Sequence, residues 1–310
     1  MFKRDSVLFS KGCLLDQVLK GIGQIMLQEN RWTGLLFLIG LFLGDWQFGV
    51  GTLLATLSGT LMARLCKFQR ERIDAGLYGF SAALVGIALV FIFDDTLLIW
   101  ILVIIGGLLA ALIQHLFMEK KVPAFTFPFI LTTWVLVYVL RTYIHVGTSA
   151  IHIVNPDSLE YGSFFGITRG FGEVMFQGGL VASLFIFLGV FISNPIAALY
   201  GLAASMIGAA ASEYHGLAVS QVHMGLFGFN AVLTAIVFAG IRKIDGFWVL
   251  LGVFFTVLLN DCFLDYHLFD QVGGVFTFPF VVGSWMTLLV QKLFKRSKRL
   301  FKPFDRVNDR

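Results

Sequence analysis

Long apolar runs, separated by short polar or glycine-containing stretches, make up most of the chain. In the first half they lie near 33–44, 48–66, 81–95, 97–117 and 126–143, and the second half has a matching set. About 20 apolar residues allow one helix to cross a bilayer, where a helix satisfies its own backbone polar groups. The pattern therefore predicts an all-α membrane protein with ten transmembrane helices, five in each half.

Four sequence blocks occur twice in the same order. Those of the first half, at 21–28, 36–45, 76–86 and 125–134, read GIGQIMLQ, LFLIGLFLGD, GLYGFSAALVG and FTFPFILTTW. They return as GFGEVMFQ, LFIFLGVFIS, GLFGFNAVLTA and FTFPFVVGSW, 149 residues later for the first and third, 148 for the second and 151 for the last. Ordered matches at nearly constant spacing indicate an internal duplication.

The duplication and the charges divide the chain into five segments. We predict an amphipathic N-terminal segment at 1–30 on the cytoplasmic membrane surface, a first repeat at 31–143, a linker at 144–165, a second repeat at 166–294 and a basic cytoplasmic tail at 295–310. An odd number of spans per repeat makes the second repeat inverted, with a pathway at the interface of the two. Of 23 Lys and Arg, eight lie beyond residue 290, which indicates that both termini are cytoplasmic rather than that the tail binds nucleic acid.

Two features interrupt the spans of each repeat. The glycine-containing pieces at 71–81 and 217–230 are too short and polar for lipid-facing spans, so we predict a re-entrant half-helix at each. Pro128 and Pro279 lie just inside the last apolar run of each repeat. Because proline lacks the backbone donor, we expect it to interrupt the last span and free a carbonyl toward a pore.

Composition supports the membrane assignment and argues against other classes. Only 14% of residues are charged, against about 25% in soluble domains. Three cysteines and six histidines show no metal-like spacing. No nucleophile–base pair or metal cluster is recognisable, so we predict no cofactor, no metal and no enzymatic activity. Short loops and the lack of N-x-S/T sites favour a multi-pass protein of a prokaryotic inner membrane.

Together, GIGQ, AGLYGF and FTFPF with their second-half copies GFGE, GLFGFN and FTFPF resemble the urea transporter family over about 17–294. The resemblance implies passive, channel-like diffusion of urea, a homotrimer in the lipid bilayer and one pore per protomer. It also implies two slots in series, each with apolar faces and hydrogen-bonding edges. The outer slot is expected to use Gln24, Ile25, Leu27, Phe80 and Leu84, the inner slot Glu173, Val174, Phe176, Phe229 and Leu233, with Thr126 and Thr277 between them.

Side-chain chemistry fits this expectation. Urea is flat and neutral, with four N–H donors and one carbonyl acceptor, so a selective path needs apolar faces and acceptors along the edges. Glu173 is an acid within apolar sequence, and such groups are usually functional. Its repeat counterpart is the neutral Gln24, which favours a hydrogen-bonding role over proton coupling; the alternative for Glu173 is an ion pair with Arg169.

Two positions depart from the family pattern. Leu27 stands where an aromatic residue is usual, and its counterpart is Phe176, so we expect a looser outer slot and a tighter inner one. The GDW sequence at 44–46 corresponds to Asn194 and Pro195 in the second repeat, and we expect that difference to affect folding rather than selectivity.

Two other functions remain open at this point. One is an ion-coupled or passive transporter of another small neutral amide or of ammonia, which would favour paired acids at the membrane midplane. The other, disfavoured by the missing catalytic groups, is a multi-pass membrane enzyme.

Overall fold

The computed structural model describes residues 12–149, 163–214 and 228–300, and within these ranges the fold is helical, with no strand beyond an isolated bridge between Phe93 and Thr148. The first-half helices are α1 (Leu14–Gly23), α2 (Arg31–Gly44), α3 (Trp46–Leu65), α4 (Arg70–Asp74), α5 (Phe80–Ile92), α6 (Leu97–Glu119) and α7 (Phe127–Val139). The second-half helices are α8 (Ser163–Glu173), α9 (Leu180–Ser193), α10 (Pro195–Tyr214), α11 (Phe229–Phe238), α12 (Lys243–Asp265) and α13 (Phe278–Leu300).

Four helices in the described part of the chain are long and apolar enough to cross a membrane. They are α3, α6, α12 and α7 together with the π-helical turn that extends it to Ile144. Four further apolar helices are shorter, namely α2, α5, α9 and α11, and α10 contains a shorter apolar stretch at Pro195–Ala211. The apolar runs expected at 48–66, 97–117 and 126–143 thus correspond to α3, α6 and α7.

Equivalent polar side chains begin equivalent helices in the two halves. The carboxylate of Asp45 accepts a hydrogen bond from the backbone N–H of Gln47 at 2.8 Å at the start of α3. The amide oxygen of Asn194 accepts one from the backbone N–H of Ala197 at 3.1 Å at the start of α10. Asp and Asn are both favoured helix caps, so the sequence difference at this boundary preserves one folding role.

The N-terminal helix is packed against other helices of the fold. Ile22 is fully buried, and α1 packs against α2 and α3. The buried polar side chains of α1 have partners: Asp16 forms an ion pair with the half-buried Lys20 at 3.0 Å, and Gln17 accepts from Arg64 at 2.7 Å. These partners allow both the apolar and the polar face of α1 to be covered. Residues 1–11 lie outside the described ranges.

The two proline blocks differ from the prediction. Pro128 and Pro279, expected to interrupt the last span of each repeat, each occupy the second position of a helix, α7 and α13. The first turn is where proline is best tolerated, because its missing N–H would have no intrahelical partner. The carbonyl four residues before each proline is not free: Ala124 accepts from Phe127 N–H, and Val275 accepts from Phe278 N–H, both at 3.0 Å.

The first predicted half-helix is instead a short helix and a turn. Residues 71–81 contribute to α4, to a glycine turn and to the start of α5. Gly76 has a φ of +78°, and a Cβ there would lie 2.4 Å from the backbone nitrogen of Gly21. Only glycine permits this contact between the turn and α1. The second predicted half-helix falls mostly at 217–227, outside the described residues, as do most of the linker and the end of the basic tail.

Contacts between the halves occur as reciprocal pairs. Trp134 donates to the carbonyl of Gly274 at 2.9 Å, and Trp285 donates to the carbonyl of Pro123 at 2.8 Å. The helices α2 and α9 also pack along each other, with the Thr33 hydroxyl donating to the carbonyl of Gly189 at 2.7 Å. The indole bonds tie the segment before each proline-starting helix to the helix of the other half.

Candidate functional site

A cavity of about 670 Å³ lies where the two halves meet. The first half contributes the end of α5 and the start of α7, through Phe91, Ile92 and Phe129. The second half contributes the ends of α8 and α12, the start of α11 and the segment that leads into α13. The cavity is therefore built mainly by the second half and completed by the first.

Five of the twelve residues expected at the site line this cavity. They are Glu173, Val174, Phe176, Phe229 and Thr277. Leu233, the remaining member of the predicted inner slot, is fully buried on α11 and does not line the cavity. The structure thus brings most of the predicted inner slot to one surface.

The six first-half residues lie elsewhere. Gln24 and Ile25 belong to a 3₁₀ turn after α1, and this turn packs against α5, which carries Phe80 and Leu84. The Gln24 amide donates to the carbonyl of Ala75 at 3.0 Å. Leu27, which ends the turn, is 41% exposed. These residues neighbour one another, but they do not line the 670 Å³ cavity.

A hydrogen bond between two buried threonines joins the two halves beside the cavity. The hydroxyl oxygens of Thr126 and Thr277 lie 2.6 Å apart, and both side chains are buried. Thr277 lines the cavity, and Thr126 lies behind it in the first half. Each hydroxyl can donate or accept, so the pair can exchange its mutual bond for bonds to a polar solute.

Phenyl rings form the apolar walls. Phe176 lies 4.8 Å from Phe91 and 6.1 Å from Phe276, and Phe276 lies 5.5 Å from Phe129, between ring centroids. Tilted and edge contacts of this kind are favourable and hold the rings in place. The walls therefore present fixed aromatic surfaces to the cavity.

Two of these phenylalanines have a positive φ, which determines the direction of their side chains. Phe176 has a φ of +58° and Phe276 one of +45°. The counterparts Leu27 and Phe125 have φ values of +58° and +46°. The left-handed conformation costs roughly 1–2 kcal/mol for a non-glycine residue. Its occurrence at the same points of both halves indicates that the surrounding fold imposes these turns.

Polar groups occupy a few places on the lining. Glu173 is the last residue of α8, and Asn260 lies near the end of α12. Toward the mouth lie Asp265 and an exposed pair formed by His267 and Asp270, whose Nδ1 and Oδ2 atoms are 3.0 Å apart. Within the described ranges, no group of three or more His, Cys, Asp or Glu side chains could hold a metal ion.

Sequence reasoning missed several lining residues. Phe129 and Phe276 belong to the FTFPF blocks, so the repeat could have identified them. Phe91 and Asn260 stand in no repeated block. Lys20, four residues before Gln24, forms an ion pair with Asp16 and donates to the carbonyl of Asp74 at 3.2 Å.

Comparison with known proteins identifies the family. The family model described as "Urea transporter" matches residues 15–292, which is most of the chain. The chain belongs to the urea transporter family. With four helices long and apolar enough to span a bilayer, this urea transporter family member is a multi-pass membrane protein.

Relatives of this family member include mammalian proteins. Urea transporter 1 of Ovis aries is 26% identical over 247 residues, and that of Rattus norvegicus is 23% identical over 241 residues. Each match covers 73% of this chain. The matched region spans 63% of the length of those relatives.

Proposed function

We propose that the protein lets urea diffuse passively across the membrane through this cavity. The observation that carries the proposal is the Thr126–Thr277 bond of 2.6 Å, which joins the two halves beside an aromatic cavity. Membership in the urea transporter family and relatives named Urea transporter 1 support urea as the solute.

The cavity surface suits a flat, neutral amide. The phenyl walls offer faces that accept N–H groups weakly, and they disfavour bulky or charged solutes, which lose hydration without replacement. Glu173 and the Thr277 hydroxyl offer oxygen acceptors for the N–H groups of urea. Urea can therefore replace part of its hydration shell without a coupled ion.

Urea passes between the halves at the threonine pair. A urea molecule at Thr277 breaks one hydroxyl–hydroxyl bond and offers several donors and an acceptor in return. A net protein hydrogen bond contributes only about 0.5–1.5 kcal/mol, so the exchange costs little. This fits channel-like diffusion better than a cycle driven by an ion gradient.

The finer architecture is part of the same proposal. We propose ten transmembrane helices in two inverted five-helix repeats, supported by the reciprocal tryptophan bonds and by the matched caps at Asp45 and Asn194. We also propose a homotrimer in the inner membrane, with both termini cytoplasmic. The two slots in series remain part of this proposal, with Gln24, Phe80 and their neighbours in the outer one.

One observation favours a second candidate. Three carboxylates line the cavity, those of Glu173, Asp265 and Asp270. Such a lining suits an ion-coupled or passive transporter of ammonia or of another small amide. An imposed proton gradient separates this alternative from passive urea diffusion.

The test is urea flux into proteoliposomes, measured by stopped-flow light scattering with and without a proton gradient. We expect fast flux that is independent of the gradient. Thr277→Val is expected to lower it about fivefold, because urea then loses a hydrogen-bonding partner in the cavity and one such net bond contributes about 0.5–1.5 kcal/mol. Thr287→Val is the matched control, since Thr287 is also buried on α13 but bonds to the carbonyl of Gly283 away from the cavity.

Two outcomes contradict the proposal. Wild-type flux no faster than in empty liposomes removes urea as the solute. Flux that collapses when the gradient is dissipated identifies a coupled carrier instead.

A further inference from the structure

We propose that Asn260 donates a hydrogen bond to the carbonyl oxygen of urea in the cavity and thereby selects an oxygen-bearing amide. The inference rests on the proposed function and adds a specificity-determining residue to it. Asn260 lines the cavity, yet only 3% of the residue is exposed.

The orientation of its amide follows from a chain of hydrogen bonds. Asn230 Oδ1 accepts from the backbone N–H of Phe280 at 3.3 Å, and Asn230 Nδ2 donates to the carbonyl of Phe276 at 3.1 Å. Because a backbone N–H only donates and a carbonyl only accepts, these contacts fix which end of the Asn230 amide is which.

The second N–H of the Asn230 side-chain amide then determines the orientation of the Asn260 amide. Asn230 Nδ2 also donates to Asn260 Oδ1 at 3.2 Å. The oxygen of Asn260 is therefore turned toward Asn230, and its Nδ2 is the polar atom that the contacts among the described residues leave available. Since Asn260 lines the cavity, this N–H group is the one it can offer to a solute.

Urea needs a hydrogen-bond donor in the cavity for its carbonyl oxygen. The carboxylates of Glu173, Asp265 and Asp270 are acceptors when ionised, and they match the four N–H donors of urea. Urea also loses hydration at its carbonyl oxygen, and that loss is compensated only by a donor. A carboxamide N–H directed by backbone anchors supplies it at a fixed place.

The first half contains the same arrangement with other residues. Ser81 on α5 donates to Gln114 Oε1 on α6 at 3.4 Å, and Gln114 is buried. Gln114 and Asn260 each lie 17 residues after the first residue of a 23-residue helix, α6 and α12. Each half thus turns the oxygen of one buried amide toward its neighbouring helix and leaves the nitrogen for another partner.

The contact between α11 and α12 does not depend on Asn260 alone. The tie between α11 and α12 is already made one turn away, where the hydroxyls of Thr234 and Thr256 lie 2.8 Å apart. Both of these side chains are fully buried, and neither lines the cavity. Thr256→Val is therefore a matched control that weakens the same helix contact without changing the cavity surface.

The test compares the permeabilities of urea and thiourea in proteoliposomes. Thiourea keeps the N–H donors but carries sulfur, a weaker hydrogen-bond acceptor, in place of the carbonyl oxygen. We expect Asn260→Leu to lower urea permeability about three- to tenfold, the loss of one net hydrogen bond, and to leave thiourea permeability nearly unchanged. Asn260→Gln introduces the side chain that Gln114 has in the first half, and we expect this variant to keep the preference for urea over thiourea. Thr256→Val is expected to keep it as well.

Other outcomes overturn the inference. An equal fall of both permeabilities in Asn260→Leu shows a structural role, and unchanged urea permeability shows no role. Asn260→Asp provides a second variant, because its carboxylate can still accept from Asn230 but has no N–H to offer; a preserved urea preference there contradicts the inference. A wild-type protein that passes no urea contradicts the proposed function itself, whereas a conducting wild type with unaltered variants contradicts only the role of Asn260.

Discussion

Three residues after Glu173 the second half has Phe176, and three residues after Gln24 the first half has Leu27. Both positions have a φ of +58°, so the backbone is the same and only the side chain differs. Phe176 joins the ring cluster that walls the 670 Å³ cavity, whereas Leu27 is partly exposed and away from it. One duplicated turn has therefore produced an aromatic wall in one half and an aliphatic contact in the other.

The segments that lead into the proline-starting helices differ as well. In the first half the chain runs from the end of α6 at Glu119 to the start of α7 at Phe127. In the second half it runs from Asp265 to Phe278, with an added 3₁₀ turn and two consecutive glycines of positive φ. This longer segment supplies the cavity mouth. The halves share a scaffold and differ in what they add to it.

The largest difference between the halves is expected from their slot phenylalanines. Phe229→Leu removes an aromatic face from the cavity and is expected to lower urea permeability about two- to fivefold, since weak N–H contacts to such a face contribute about 0.5–1 kcal/mol. Phe80→Leu, at the equivalent position of α5, is expected to change it less than twofold. Leucine keeps most of the volume and limits the cost of an internal void.

Stopped-flow urea flux into proteoliposomes measures both variants, with liposome size and protein content matched as the control. Equal losses in the two variants contradict the view that the second half forms the tighter filter. A larger loss in Phe80→Leu reverses the comparison.

A smaller effect is expected from exchanging the residues at the shared turn. Phe176→Leu removes ring contacts with Phe91 and Phe276, each worth about 0.5–1.5 kcal/mol, so we expect a lower unfolding temperature and weaker selection of urea over methylurea. Leu27→Phe is expected to strengthen that selection, because the turn with the same φ already carries an aromatic residue in the other half.

The measurements are thermal unfolding in detergent and the ratio of urea to methylurea permeability. Val181→Leu serves as the matched surface control, because Val181 lies on α9 with 56% of the residue exposed and does not line the cavity. An unaltered ratio in both turn variants shows that the difference between Leu27 and Phe176 does not bear on selectivity.

Sequence reasoning named five of the residues that line the cavity, because repetition and the family resemblance separate a few residues from a uniformly apolar background. Among 34 phenylalanines, the repeat singled out Phe80 and Phe229, of which Phe229 lines the cavity, and among the threonines it singled out Thr126 and Thr277. The all-helical fold followed from the length of the apolar runs. These inferences needed only patterns that persist in both halves.

The rest depended on contacts that no pattern records. Asn260 was missed because its counterpart is a glutamine, and because α11 has 10 residues where α5 has 13, which changes the spacing between the repeats before α12 begins. Proline within an apolar run is compatible with an interrupted helix or with a helix start, and the hydrogen bonds of Ala124 and Val275 decide between them. The burial of α1 required the partners of Gln17, Arg64 and Asp74, which no pattern in α1 reveals.

The smallest effect is expected where the halves differ in charge. Glu173→Gln gives the second half the neutral amide that the first half carries as Gln24, and we expect urea permeability within about twofold of wild type, since the carboxamide oxygen still accepts a hydrogen bond. Gln24→Glu is the reciprocal variant; it replaces the amide that donates to the carbonyl of Ala75, so its loss is expected to exceed that of Glu173→Gln. Flux measured with and without a proton gradient checks both. A tenfold loss in Glu173→Gln, or a gradient dependence that this variant abolishes, shows that the charge of Glu173 and not its oxygen is the functional property.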